Sequence, residues 1–217
     1  MNVRAMRFSR QIRQPVSAVP RARGCLMALL LMLVLADTPA GASDVAMIVA
    51  DHAGHYLVEG EFHTAAPLAT AWCVLTDYEH IGAFVRSVRS SRLVRQPDGR
   101  QFLAQDAVGG VFPFRRIIRV LLELNEFAGD RIEFRDVLGR DFAAYSGTWT
   151  LLAEPTGTRV HYALVADPRV ALPALIGRGV MSANARGLLE QVRGEMERRV
   201  ALPCLQPGRL AREAPAP

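Results

Sequence analysis

The chain ends in a long helical pattern that follows a series of strand-like runs, and this order constrains the fold most. Between Ala174 and Val200, apolar residues recur every three to five positions, as on one face of a helix. At 1.5 Å per residue such a helix extends for about 40 Å and can cross a whole sheet. One long helix after consecutive strands predicts an α+β fold and argues against a parallel-sheet enzyme.

Tight turns join the strand-like runs, which together predict a curved antiparallel sheet of about seven strands. The segment Gln96-Pro-Asp-Gly99 is a strong hairpin signal. Two short helices follow the first strand. Pro67 lies near the start of the first, and Asp77 is predicted to be the N-cap of the second, which runs to about Val85. The predicted strands are residues 55–63, 88–94, 101–108, 112–126, 131–138, 142–152 and 158–165.

The N-terminal region has the features of a secretory signal peptide, residues 1–42. Residues 1–24 contain six arginines and no acidic residue, and an apolar run of 12 residues, 25–36, follows. Ala40 and Ala42 satisfy the small-x-small rule for cleavage after Ala42. We therefore expect a periplasmic or secreted protein. An N-terminal membrane anchor is the alternative, although a run of this length is short for a bilayer.

Removal of residues 1–42 also removes the basic character of the chain. Of 26 basic and 21 acidic residues, this segment holds six arginines and Asp37, which leaves 20 of each sign. A neutral mature chain gives no reason to expect nucleic-acid binding. The chain contains no lysine, which excludes Schiff-base chemistry. We expect one domain over residues 43–202 and a disordered, proline-rich tail over residues 203–217.

Three short motifs are distinctive in their order and spacing, namely Trp72-x-Val-Leu-Thr-Asp-Tyr78, Gly147-x-Trp149 and Gly157-Thr-x-Val-x-Tyr162. Together they resemble those of the START-like (SRPBCC) coenzyme Q-binding family, also described as polyketide cyclase/dehydrase. The similarity covers roughly residues 55–200, with one departure, since Arg86 stands near the position where the family usually has proline after Phe84. The resemblance implies a helix-grip fold, in which a curved sheet and two short helices surround a long C-terminal helix. The residues that carry it are Trp72, Val74, Leu75, Thr76, Asp77, Tyr78, Phe84, Ser90, Ser91, Gly147, Trp149, Gly157, Thr158, Val160, Tyr162, Asp167, Pro168 and Pro173.

A sheet that grips one helix leaves a cavity, and by analogy with the family we expect it to bind an apolar small molecule such as a lipid, an isoprenoid or a quinone-like compound. Transient membrane contact is a further expectation, and no cofactor is implied. An enzyme of the cyclase or dehydratase type remains an alternative, as does a protein-interaction module on the outer face of the sheet. Strand and helix periodicity places these candidate lining residues inward: Phe62, Phe102, Phe112, Phe114, Ile118, Phe134, Trp149, Tyr162, Met181 and Leu188.

Two charged residues share the predicted inward parity, namely Asp106 and Arg116. A buried carboxylate requires a partner, so the two are expected to pair, either as a contact for a ligand head group or as a structural ion pair. If Asp106 is unpaired, it is a candidate general acid or base with a raised pKa.

The remaining chemistry-bearing residues form no recognisable motif. The five histidines are scattered and show no metal-ligand spacing, so neither a metal site nor a catalytic set is predicted. Two cysteines remain after removal of the signal peptide, Cys73 and Cys204. In an exported protein these two can form a disulfide; a buried free Cys73 is the alternative.

Overall fold

The computed structural model of the protein describes residues 45–110, 115–170 and 174–201. The predicted signal peptide and the predicted tail lie outside these residues. The strands are β1 Ala46–His52, β2 His55–Thr64, β3 Val88–Arg95, β4 Gln101–Gly109, β5 Arg116–Phe127, β6 Arg131–Asp136, β7 Phe142–Glu154 and β8 Gly157–Pro168. The helices are α1 Leu68–Thr76, a short 3₁₀ turn Tyr78–His80, α2 Ile81–Phe84 and α3 Ala174–Arg198.

The eight described strands form one antiparallel sheet in the order β1-β2-β8-β7-β6-β5-β4-β3. The predicted meander and the α+β class are therefore confirmed. The predicted number of about seven strands was low by one, because β1 was interpreted only as a short apolar run. β1 pairs with β2 around a tight turn in which Ala53 and Gly54 both have positive φ, 57° and 95°.

Helix α3 lies across the inner face of the sheet, which is the face that carries the buried side chains. Leu189, Val192 and Met196 are buried there together with Tyr56 and Val58 of β2. The predicted helix over 174–200 is thus confirmed to within two residues. No helix within the described parts of the chain combines the length and the hydropathy that a bilayer span requires.

An ion pair ties the two short helices to the C-terminal end of α3. Asp77 occupies the N-cap position of the 3₁₀ turn, but its side chain does not cap it. The carboxylate instead accepts a hydrogen bond from Arg199 at 2.7 Å and contacts Nδ1 of His80 at 2.5 Å. The Arg199 guanidinium also lies over the Phe84 ring, 5.7 Å from its centroid. The predicted capping role of Asp77 was therefore wrong, because the side chains of Arg199 and His80 take its oxygens.

Candidate ligand-binding site

A cavity of about 250 Å³ lies between the inner face of the sheet and α3. The sheet contributes mainly aliphatic side chains, among them Leu103, Val120 and Leu122, while α1 contributes Val74 and Leu75. Ligand pockets for drug-sized molecules typically measure about 300–1,000 Å³. The cavity is therefore suited to a small apolar molecule or to the apolar end of a larger one.

Five aromatic rings from β6, β7 and β8 form a continuous wall of this cavity. The Trp149 and Tyr162 rings lie 4.4 Å apart between centroids, and the Phe142 and Tyr145 rings lie 4.6 Å apart. Phe134 joins the two pairs, at 6.0 Å from Tyr145 and 6.3 Å from Tyr162. Aromatic rings at these separations attract each other beyond simple area burial. The wall therefore presents several apolar ring faces against which a ring or a chain can pack.

The wall also carries a polar pair, because the Tyr145 and Tyr162 hydroxyls share a hydrogen bond. Burial raises the pKa of Tyr162 well above its usual value, and the Tyr145 hydroxyl adds to the effect. Burial likewise raises the pKa of Tyr145. Both hydroxyls therefore stay protonated at neutral pH, where they can donate hydrogen bonds but cannot act as bases.

The other polar side chains of the lining are few and uncharged. Gln105 donates from Nε2 to the Ser91 hydroxyl at 3.0 Å, and Tyr78 donates to Glu126 at 2.8 Å. Burial raises the pKa of Tyr78, and the adjacent Glu126 carboxylate raises it further. Among the described residues that line the cavity there is no Asp, Glu, Lys, Arg or His. The described residues also contain no group of three or more potential metal ligands.

The structure brings six of the predicted lining residues together around the cavity. They are Ile118, Phe134, Trp149, Tyr162, Met181 and Leu188. Phe62 is almost fully buried, at 1% exposure, but belongs to the solid part of the core rather than to the cavity wall. Phe112 and Phe114 lie outside the described residues. On long strands in which apolar and polar residues alternate regularly, such as β5, the side chains that were predicted to face inward therefore do so.

The predicted orientation of β4 was wrong, and with it the placement of Phe102 and Asp106. Leu103, Gln105 and Ala107 line the cavity, so the intervening residues point to the opposite face. Phe102 lies under the Arg100 guanidinium, 5.5 Å from its ring centroid. The alternation of β4 predicted the wrong face because its inward face carries a polar residue, Gln105, and its outward face carries Phe102.

The predicted ion pair between Asp106 and Arg116 was also wrong. In the register of β4 and β5, Asp106 stands opposite Arg119, whereas Arg116 stands opposite Gly109. Asp106 contacts Arg119 at 3.5 Å, and both side chains are 44% exposed. Arg116 instead pairs with Asp141 of the β6–β7 loop at 2.5 Å. Neither Asp106 nor Arg116 lines the cavity, so the predicted acid–base or head-group role has no structural basis.

The sequence matches the family model described as "Polyketide cyclase / dehydrase and lipid transport" over residues 56–201. The chain belongs to this family. No curated protein matches the sequence closely enough to add a role.

Solved structures place the chain in the START-like, helix-grip fold of the family. A protein from Thermus thermophilus is 25% identical, with a TM-score of 0.54, over 67% of this chain and 97% of its own. A STAR-related lipid transfer protein from Xanthomonas axonopodis is 19% identical, with a TM-score of 0.55, over 71% and 94%. The ZhuI aromatase/cyclase from a Streptomyces species is 20% identical, with a TM-score of 0.55, over 67% and 96%. The family thus includes both lipid-transfer proteins and cyclases on one fold.

Sequence analysis missed several lining residues of this START-like domain. Tyr145 has the same parity as Gly147 and Trp149 on β7, and that alternation was enough to identify it. Ser87 and Asn184 also border the cavity, but nothing in the sequence around them indicates this. Their position depends on how α2 and α3 pack against the sheet.

The predicted Cys73–Cys204 pairing involves a residue outside the described part of the chain. Cys73 lies on α1 and is a disulfide cysteine in the structure. The pairing with Cys204 stays a prediction.

Proposed function

We propose that this protein is an exported binding protein for a hydrophobic small molecule, such as a lipid, an isoprenoid or a quinone-like compound, held between the sheet and α3. The observation that carries the proposal is the cavity lining, which is apolar and aromatic and includes no charged described residue. A lining of this kind favours an apolar ligand, because any charge placed in it would lose its hydration without gaining a partner.

The size of the cavity limits the affinity that burial alone can supply. At about 30 Å³ per water-sized group, 250 Å³ holds about eight such groups. Burying the area of one aromatic ring system yields about 4 to 6 kcal/mol, from which the cost of association must be subtracted. Tight binding therefore requires either a ligand that also contacts the cavity mouth or expansion of the cavity around it.

The choice between carrier and acid–base enzyme depends on the same lining. General acid–base catalysis needs groups that gain and lose protons near the working pH. The candidate pair for this role, Asp106 and Arg116, lies outside the cavity. The function that the geometry supports best is therefore binding.

Native mass spectrometry of the protein purified from its own host tests the proposal, followed by solvent extraction and identification of any bound molecule. We expect a non-covalent adduct that survives gentle ionisation and that extracts into organic solvent. Recovery of empty protein, together with failure to take up any fluorescent fatty acid or isoprenoid, would contradict the proposal.

A second candidate function is supported by the Tyr145–Tyr162 pair. Each phenol carries one hydrogen, and the hydrogen bond within the pair uses one of the two. The other can donate to a carbonyl oxygen on which negative charge develops, as in cyclisation of a poly-carbonyl chain. Substitution of both residues by Phe distinguishes the two functions. A carrier loses only selectivity for oxygenated ligands, whereas an enzyme loses turnover of a model poly-carbonyl substrate.

Export is the remaining part of the proposal and is supported by residues 1–42 alone. Cell fractionation and N-terminal sequencing of the natural protein test it. Processing predicts a first residue of Ser43 in the periplasmic or secreted fraction, and an unprocessed chain in the cytoplasmic fraction would contradict it.

A further inference from the structure

Three segments meet at one end of the sheet, and we name their combined surface the loop surface. They are residues 115–119 at the start of β5, residues 136–141 between β6 and β7, and residues 167–170 at the end of β8. Asp141 joins them: its side chain binds Arg116 and the backbone N–H of Arg119, and its carbonyl accepts from the Arg169 N–H at 3.0 Å. Since the contacts join all three segments, the loop surface is a single feature of the fold.

Large apolar side chains are exposed on each segment of the loop surface. Ile117 is 54% exposed, Val137 44%, Leu138 47% and Val170 53%. The described residues include ten large hydrophobic side chains that are exposed to solvent, and four of them lie on the loop surface. Single exposed apolar residues are ordinary, but a group of them at one end of a domain marks an interaction surface.

Arginines surround these apolar side chains and outnumber the acids. The loop surface contains five arginines, Arg115, Arg116, Arg119, Arg140 and Arg169, against three acids, Asp136, Asp141 and Asp167. All three acids are already engaged within the protein. Asp136 accepts from three backbone N–H groups, Asp141 binds Arg116, and Asp167 contacts His55 at 3.3 Å.

Two of these arginines are available for an external partner. Within the described parts of the chain, the side chains of Arg115 and Arg140 make no hydrogen bond or ion pair, and both residues are exposed. The net charge of the loop surface is therefore positive, and its unpaired cations lie beside its exposed apolar side chains. That combination matches an anionic bilayer, which offers phosphate groups at the surface and hydrocarbon just beneath them.

The cavity reaches the same end of the domain. Gly109, Ile118 and Phe142 line it, and each stands at or next to the end of a strand that leads into this region. A protein bound to a bilayer through the loop surface would therefore hold its cavity close to the lipid.

We propose that the loop surface is a docking site for an anionic lipid bilayer. The apolar side chains of Ile117, Val137, Leu138 and Val170 enter the interface, and Arg115 and Arg140 bind lipid phosphates. Docking does not require a ligand in the cavity, so the proposal stands or falls separately from the proposed carrier function.

Vesicle flotation tests docking directly. The protein is expressed from the full-length gene and purified in the processed form that the cell produces. Mass spectrometry then confirms that every variant has the same N-terminus. We expect binding to vesicles of phosphatidylcholine with one third phosphatidylglycerol and little binding to phosphatidylcholine alone. Raising the salt to about 1 M should weaken binding strongly, because the Debye length falls to about 3 Å.

Surface variants with matched controls locate the contact. Arg140→Glu should reduce the partition coefficient at least about fivefold, the contribution of one surface arginine, and Val137→Ser with Leu138→Ser about tenfold. The controls are Arg92→Glu, an exposed arginine within β3, and Leu152→Ser, 53% exposed near the opposite end of β7. Equal effects of the control and loop-surface variants would overturn the proposal.

Two further outcomes also bear on the proposal. Loss of vesicle binding with unchanged uptake of a fluorescent fatty acid in solution supports docking as a property separate from the cavity. Absence of vesicle binding in the unaltered protein, or a protein partner that buries the same side chains and excludes lipid, would overturn it.

Discussion

Gly60 of β2 lies directly under Leu189 of α3, and a Cβ on residue 60 would stand 2.3 Å from Leu189 Cδ1. Both residues are buried, Leu189 completely. The absence of a side chain at residue 60 therefore sets how closely α3 approaches the sheet on this side of the domain.

Gly60→Ala should destabilise the protein by about 1–3 kcal/mol, as expected when a methyl group is forced into a well-packed core. Urea unfolding measures the change. Combination with Leu189→Ala should remove most of the additional cost of Gly60→Ala, because the new methyl group then occupies vacated space.

Gly179→Ala on α3 is the matched control, because a Cβ there meets nothing within 4 Å. It should stabilise the protein by about 0.5–1 kcal/mol through helix propensity. A Gly60→Ala variant as stable as the unaltered protein would show that α3 is not held at this distance by the sheet.

The link between Asp77 and Arg199 should make stability depend on acid pH. Burial raises the pKa of Asp77, but hydrogen bonds from His80 and Arg199 outweigh it, and the pKa ends below its usual value. A carboxyl group whose pKa is lowered by folding stabilises the folded state at pH values above its pKa in the unfolded chain, about 3.9. This stabilisation is lost as the pH falls through the pKa of the group in the folded protein. Asp77→Asn should therefore cost about 1 kcal/mol at neutral pH and progressively less at an acid pH below the unfolded value of about 3.9.

Asp130→Asn is the control for this prediction, since Asp130 lies in an exposed turn and its carboxylate has no partner among the described residues. It should leave the urea midpoint unchanged at both pH values. An equal loss for Asp77→Asn at neutral and acid pH would show that the side chain acts through packing rather than through its charge.

The tyrosines predict an unusual alkaline titration. The chain has four tyrosines, and burial raises the pKa of every one: Tyr56, Tyr78, Tyr145 and Tyr162. The raised pKa values contribute stability that is complete below the pKa of tyrosine in the unfolded chain, about 10. This contribution is lost as the pH rises through the tyrosine pKa values of the folded protein. Tyrosinate absorption of the folded protein should therefore appear at higher pH than that of the unfolded protein, as measured by ultraviolet absorption and circular dichroism in parallel.

The urea-unfolded protein is the reference for this experiment and should titrate near the ordinary tyrosine pKa. A tyrosinate step at that pH in the folded protein, with circular dichroism unchanged, would mean that at least one of the four side chains is open to solvent.

The antiparallel meander, the fold class and the inward face of the longest strands could be predicted from the sequence. Ile118, Val120 and Leu122 alternate without interruption on β5, so their orientation followed from the pleat alone. β4 failed because Gln105 faces the cavity while Phe102 faces outward. When a short strand has a polar residue on its inward face, its hydrophobic pattern supports either face as the buried one almost equally well.

The ion pairs could not be predicted because they depend on register. Asp106 meets Arg119 rather than Arg116 because of how the β4–β5 hairpin aligns its strands. Register is set jointly by the hydrophobic pattern of both strands and by the connection between them, and a shift of one residue changes every cross-strand partner. Ser87, just after α2, and Asn184 of α3 were missed for a related reason, since helix packing angles leave no local signal.

The central claim, that the space between the sheet and α3 holds an apolar ligand, is tested most directly by filling that space. Ala185 faces the cavity and Ala183, on the same helix, is exposed. The measurement is the equilibrium uptake of a fluorescent fatty acid by Ala185→Phe and Ala183→Phe, with both variants shown to be folded. We predict that Ala185→Phe loses binding at least about tenfold while Ala183→Phe binds like the unaltered protein. Equal uptake by the two variants would place the ligand elsewhere and contradict the account.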